Sequence, residues 1–297
     1  MGTRRSPSVS RWWYVAVAAL AMGAIGTYQF AWSTVRVPLG ARLDASETAL
    51  GTVFTVYLVC QAVSQFPAGW VRDRYGPRIP LLVGAPLVAT GYGWTAVSGS
   101  LTSVYVAYAL GGVGAGVVYT VAVNTAVKWF DERRGLATGV VMATYSALSF
   151  AIIPVLRGQL STDFERTLTV MAAGVAGVAV LGAVVFRDPR TMEADGPEEG
   201  EPAESTPAEG GAKSAGPDLT WRETVRTWQF WLLYAVFVVV NGVGLMLIGK
   251  VVAYADQLAL SGAAATASAS VVAFADALGI ALIGSLSDRF GRVRTVA

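Results

Sequence analysis

Polar side chains are sparse in this sequence, and those that stand apart do so inside long apolar runs. Tyr57, Gln61 and Gln65 recur at i, i+4 and i+8, which on a helix places hydroxyl and amide groups in one drifting stripe. Tyr28, Gln29 and Trp32 cluster in the first apolar run, Tyr108 and Tyr119 share a face of the fourth, Tyr145 lies midway in the fifth and Asn241 in the seventh. Groups of this kind hydrogen-bond and stack against a small solute rather than cleave it. Each tyrosine alone suits helix packing or interface anchoring equally well. As a set drawn from several helices they outline a polar path through a membrane.

Asp276 is the charged residue with the most to say. It sits near the middle of the eighth apolar run, where an ionised carboxylate costs about 2.5–3.5 kcal/mol on insertion scales. That cost leaves two readings. One is a coupling site for a proton or cation, and the other is a neutral acid in an interhelical hydrogen bond, with Asn241 as a partner. Lys250 and Asp256 near the outer end of the seventh run, and Arg157 near that of the fifth, suit gating or plain interfacial charge.

Covalent chemistry has little to work with. The chain has no histidine and one cysteine, Cys60, so no internal disulfide, zinc site or histidine acid–base pair is expected. Gly112-x-Gly114-x-Gly116 lies within an apolar run rather than after a strand, so close helix packing explains it better than a nucleotide loop. No catalytic residue, cofactor or metal is expected, and the thinly spread basic residues form no nucleic-acid patch.

The elements that must position these groups follow from composition. Hydrophobic residues make up 54% of the 297 positions and charged residues 14%, against about 25% charged in soluble domains. Eight apolar segments approach the ~20 residues needed to cross a bilayer: Trp12–Thr34, Ala49–Val71, Ile79–Val97, Leu101–Val127, Gly135–Leu156, Leu168–Phe186, Trp228–Val252 and Ala263–Leu286. Their length excludes barrel strands, so an all-α integral membrane fold is expected. Short basic residues 1–11 and a spanning first run without a cleavage site read as a retained helix, not a signal peptide. Lysine and arginine concentrate in alternate connections, as in Arg4, Arg5 and Arg11, Arg72, Arg74 and Arg78, or Lys128, Arg133 and Arg134. The other connections hold only Arg36, Arg42, Arg157, Arg166 and Lys250. This bias predicts a cytoplasmic N-terminus in a cell membrane.

Residues 195–218 are rich in Gly, Pro, Ala and Glu with no apolar period, the composition of a solvated linker. Three regions result: a six-helix bundle at 1–190, a disordered acidic cytoplasmic linker at 191–225, and two further helices at 226–297. The strongest internal signal joins the two blocks. Gly69, Asp73, Arg74, Gly76 and Arg78 follow the second span, and Gly284, Asp288, Arg289, Gly291 and Arg292 follow the eighth, both fitting G-x-x-x-D-R-[YF]-G with basic residues beyond. Equivalent placement in each block is what two related six-helix halves produce. Physically, the glycine permits close helix approach, the aspartate can face a helix N-terminus, and the arginines stay at the anionic interface.

These loops resemble the signature loops of the major facilitator superfamily. Tyr28-Gln29-Phe30-Ala31-Trp32-Ser33 with Pro38-Leu39, Gly111 through Tyr119, Lys128-Trp129-Phe130 through Gly139, and Phe230-Trp231 are similar to the oxalate/formate antiporter-like branch. The resemblance implies twelve spans in two halves, so that four further helices, in cis or trans, complete the bundle. It implies a secondary active transporter that moves a small organic solute, a monocarboxylate or related anion, by alternating access. Its partners would be the bilayer, the solute, and protons or a counter-transported anion. It places Tyr28, Tyr119 and Tyr145 at positions that frame substrate, and gives Asp73 and Asp288 the part of cytoplasmic latches. In the eighth helix Ile280 occupies the position where oxalate-type members carry arginine. The alternatives are a transport-inactive membrane sensor or subunit that signals through the linker, and a non-functional fragment of a transporter.

Overall fold

The computed structural model describes residues 11–129, 134–186 and 221–290. Ten helices cover them: α1 (Arg11–Phe30), α2 (Trp32–Leu43), α3 (Glu47–Tyr75), α4 (Arg78–Val97), α5 (Leu101–Trp129), α6 (Arg134–Thr162), α7 (Phe164–Val185), α8 (Trp221–Arg226), α9 (Trp228–Gln257) and α10 (Gly262–Phe290). Among the described residues there is no strand, and eight helices are long and apolar enough to cross a membrane. Helices close their backbone hydrogen bonds internally, which is the condition for spanning lipid.

The spans fall where the apolar runs predict, with two differences. The first run continues past Thr34 after a one-residue break at Ala31, across which the Val35 N–H still bonds the Ala31 carbonyl at 3.0 Å. It ends only at Leu43, where Asp44 turns into the left-handed region with φ 48°. Arg36 therefore lies on a helix rather than in a connecting loop. The second difference lies in the predicted linker, whose residues 221–225 belong to α8. The Trp231 indole N–H donates to the Val225 carbonyl at 2.8 Å, which caps that short helix with a group the sequence places five residues beyond its end. Residues 187–220 lie outside the described residues.

Helix starts carry their own signals. Ser46 caps α3 by accepting from the Ala49 N–H at 3.3 Å, and Asp163 caps α7 by accepting from the Arg166 N–H at 3.0 Å. Each such cap contributes about 1 kcal/mol.

Packing is built around α5, which lies between α3 and α4, and around α1, which crosses α6. The glycines of α5 face two ways. A Cβ on Gly112 would stand 2.5 Å from the Tyr57 carbonyl oxygen, and one on Gly116 would strike the Gln61 carbonyl and the Ser64 hydroxyl. Gly114, between them, faces α4, with a Cβ 2.6 Å from the Val88 nitrogen. Spacing of four puts Gly112 and Gly116 on one face and spacing of two puts Gly114 on another, so the run is a packing device. The C-terminal block joins through α10 on α6, while α9 touches α2 and α10 and leaves most of its apolar surface exposed.

Candidate functional site

The sequence-predicted polar residues converge on one hydroxyl. Tyr145, midway along α6, donates to Gln29 Oε1 on α1 at 2.9 Å and accepts from Gln61 Nε2 on α3 at 3.1 Å. The Tyr119 ring of α5 stands edge-on to it with centroids 5.8 Å apart. From the C-terminal block, Ile248 of α9 and Ala273 of α10 pack with Phe30 beside Tyr145. Four helices of the first block thus present side chains to one hydroxyl, with the second block packed beside it. The crossing that permits this is set by Gly26, whose α-carbon lies against the Tyr145 backbone carbonyl with no room for a Cβ.

The chemistry offered there is hydrogen bonding. A tyrosine hydroxyl has one proton and two lone pairs, and Tyr145 has committed the proton and one lone pair. The Tyr57 hydroxyl is buried and has no hydrogen-bond partner. The amides of Gln29 and Gln61 retain further N–H groups. This is a donor-rich polar cluster between helices, with the hydrogen-bonding groups that a small polar solute requires.

Tyr28 and Trp32 are placed one layer behind. The Tyr28 hydroxyl donates to the Val88 carbonyl on α4, and its ring stacks on Tyr92 at 3.7 Å and on Tyr57 at 5.3 Å. Gly91 and Gly111 make the space it fills. Trp32 stacks on Phe54 at 5.9 Å and meets Tyr108 edge-on at 4.9 Å. These aromatics fix the positions of Gln29 and Tyr57. Asn241 is not Asp276's partner: it is exposed on α9 and donates to the Phe237 carbonyl of its own helix at 2.8 Å. A short amide side chain finds the i−4 carbonyl before it can reach across to a neighbouring helix.

At the end of the bundle where α3 meets α4, hereafter the motif end, the first repeat takes a different form from the one expected. Asp73 accepts from Lys128 on α5 at 3.3 Å and from Arg72 at 3.2 Å, so it pairs with cations rather than with a helix N-terminus. Arg74 lies over the Trp70 and Tyr75 rings at 5.7 and 5.8 Å. Arg78 donates to the Phe186 and Val184 carbonyls at the end of α7, both at 3.4 Å, where the helix dipole favours a cation. Gly69 makes no close approach, since a Cβ there would meet only Thr120 Cγ2 at an ordinary 3.7 Å. Gly76 is required for its backbone, with φ 80° as it closes α3 through a 2.9 Å bond to the Arg72 carbonyl. Gly76→Ala is expected to cost about 1 kcal/mol or more, read as a lower midpoint of thermal unfolding in detergent. Gly284, Asp288 and Arg289 lie on α10, while Gly291 and Arg292 fall outside the described residues.

At the opposite, far end the sequence reading missed Arg36. It is 3% exposed, pairs with Glu47 and donates to the Gly249 carbonyl on α9 at 3.2 Å. Its position seven residues after Gln29 would have put it on the same helical face, had the first helix been extended past Thr34.

The sequence model of the Major Facilitator Superfamily matches residues 10–297. The chain is 31% identical over 293 residues to the oxalate:formate antiporter of Oxalobacter formigenes, covering 97% of this chain and 66% of that protein. It is 27% identical over 293 residues to the uncharacterized MFS-type transporter YhjX of Escherichia coli (strain K12), covering 97% and 68%. Monocarboxylate transporter 11 of Homo sapiens is 25% identical over 188 residues, 62% of this chain and 40% of that protein. The chain spans about two thirds of the length of the first two relatives.

Proposed function

The chain belongs to the Major Facilitator Superfamily, and from that premise we propose that it is a secondary active transporter of a small organic anion, a monocarboxylate or a close relative. Transport proceeds by alternating access, with the six-helix block and the C-terminal block rocking about the Tyr145 cluster. The observation that carries this reading is the convergence of Gln29, Gln61, Tyr119 and Tyr145 from four helices on one hydroxyl, beside Ile248 and Ala273 of the second block. Tyr57 adds an unpaired donor. The antiporter among the relatives supports an organic anion as cargo, and the alternation of basic connections supports a cytoplasmic motif end and N-terminus. Asp73 and its lysine partner then hold the cytoplasmic end of the first block, with Asp288 in the matching place of the second.

Asp276 is assigned the coupling role because it is a carboxylate midway along α10, a membrane-spanning helix beside the Tyr145 hub, where an uncompensated charge is costly. Uptake of labelled formate, acetate and oxalate into vesicles carrying the full-length gene product, with and without an inward proton gradient, tests the proposal. Stimulation by the gradient is expected in the parent and lost in Asp276→Asn, with gradient-independent exchange retained. No uptake of any carboxylate by correctly inserted protein would sink the reading. Equal gradient stimulation in Asp276→Asn would remove that residue from the coupling.

A further inference from the structure

A cavity lies at the far end, about 460 Å³ in volume, between α2 and α3 on one side and α9 on the other. Three charged residues line it: Arg36, Glu47 and Lys250. Trp32, Phe54, Thr48 and Thr52 also line it. Its size falls within the range of small-molecule sites, and the Tyr145 hub is not among its walls.

Arg36 makes the cavity more than a surface dent. Its guanidinium is buried on the helix, yet the bonds it makes are uneven. One terminal nitrogen holds the Gly249 carbonyl of the opposite block, and the other holds Glu47, whose own side chain is 75% exposed. The Nε–H is buried with no acceptor at all. A guanidinium is built to be gripped side-on by a carboxylate through two parallel bonds, and here one of those two donors is left empty. Glu47 is a water-exposed partner and a weak competitor for the fork. Lys250, one residue after Gly249, is exposed on the same cavity and has no hydrogen bond or ion pair among the described residues.

We propose that this cavity is a receiving site for an organic monocarboxylate, held between Arg36 and Lys250, and that its occupation releases the contact between the two blocks at this end. The incoming carboxylate takes the Nε and Nη2 donors in place of Glu47 while Lys250 approaches its other side. The charge lining the cavity favours a monoanion, because two cations and one carboxylate leave a single positive charge to neutralise. Turning the guanidinium towards the ligand withdraws Nη1 from the Gly249 carbonyl, the hydrogen bond that ties α2 to α9. Binding at the far end is thereby linked to its opening. The proposal rests on the organic-anion reading above, but uses none of the hub residues.

The test places a reporter cysteine on the cavity wall, Thr52→Cys in a Cys60→Ser background, in full-length gene product held in lipid nanodiscs so that both faces are accessible. Labelling by a charged maleimide is followed with acetate, oxalate or sulfate present. Acetate is expected to slow labelling at least threefold, oxalate and sulfate less, and the protection should vanish in Lys250→Gln, an exposed change that leaves the fold intact. Arg36→Gln should abolish it as well, and Arg36→Lys should retain a part. Tyr145→Phe should leave protection intact, which separates this site from the hub. Protection that survives Lys250→Gln, equals that by sulfate, or disappears with Tyr145→Phe overturns the proposal. Protection without vesicle uptake would instead sink the transport reading and leave this site standing.

Discussion

Gly26→Ala is expected to be the most damaging single-methyl change in the chain. The added Cβ would overlap the backbone carbonyl of Tyr145, and a backbone group in a packed helix cannot swing aside as a side chain would. Helices α1 and α6 must therefore separate. Overpacking of this kind costs typically 1–3 kcal/mol, and separation also stretches the Tyr145–Gln29 hydrogen bond, worth about 0.5–1.5 kcal/mol. The variant should show a markedly lower unfolding midpoint in detergent and little transport. Gly51→Ala is the control: it lies in α3 with nothing within 4 Å of a new Cβ, and a helix interior gains about 1 kcal/mol when glycine becomes alanine. Gly51→Ala should be neutral or stabilising in the same assay. Parent-like stability of Gly26→Ala would mean that α1 and α6 do not cross as closely as described.

That pair of glycines also marks the boundary of what the sequence makes legible. Spans are legible because apolar length against bilayer thickness is a one-dimensional property, and eight helices fall where eight runs predict. The glycine run of α5 is legible as packing because its neighbours are all apolar. Which glycine meets a backbone and which meets open space depends on partners far away in sequence. Gly26 and Gly51 look alike until α6 is placed. The same holds for the tyrosines. Tyr28 and Tyr145 each stand in an apolar run, and only the Val88 carbonyl in one case and Gln29 with Gln61 in the other separate a packing role from a central one. Arg36 is hidden by a boundary, since an apolar run that ends at Thr34 does not point to a buried guanidinium two residues later. Gly69 shows the limit of a motif: a repeated pattern shows that a position matters, but not that its neighbour is close.

Tyr145→Phe is expected to produce the largest functional loss at unchanged fold. The ring, its edge contacts with Tyr119 and Phe30, and the space it fills are all retained. Only the hydroxyl goes, and with it the one group that accepts from Gln61 while donating to Gln29. Each amide left without its partner loses a hydrogen bond that costs about 1–3 kcal/mol when left unmade. The amides then turn to one another or to solvent and no longer hold the positions in which they meet the solute. A loss on that scale corresponds to about a 10- to 100-fold fall in transport at limiting solute, with membrane insertion and expression as in the parent. Tyr28→Phe provides the contrast. Its hydroxyl bonds a backbone carbonyl of α4 inside the first block, so its loss should lower the unfolding midpoint and leave the apparent affinity for solute near that of the parent. If the two variants exchange these outcomes, the binding surface lies on the Tyr28 side of the aromatic layer and the Tyr145 cluster is the support. If Tyr145→Phe alone loses affinity, the order of layers described here is also the order in which they serve the solute.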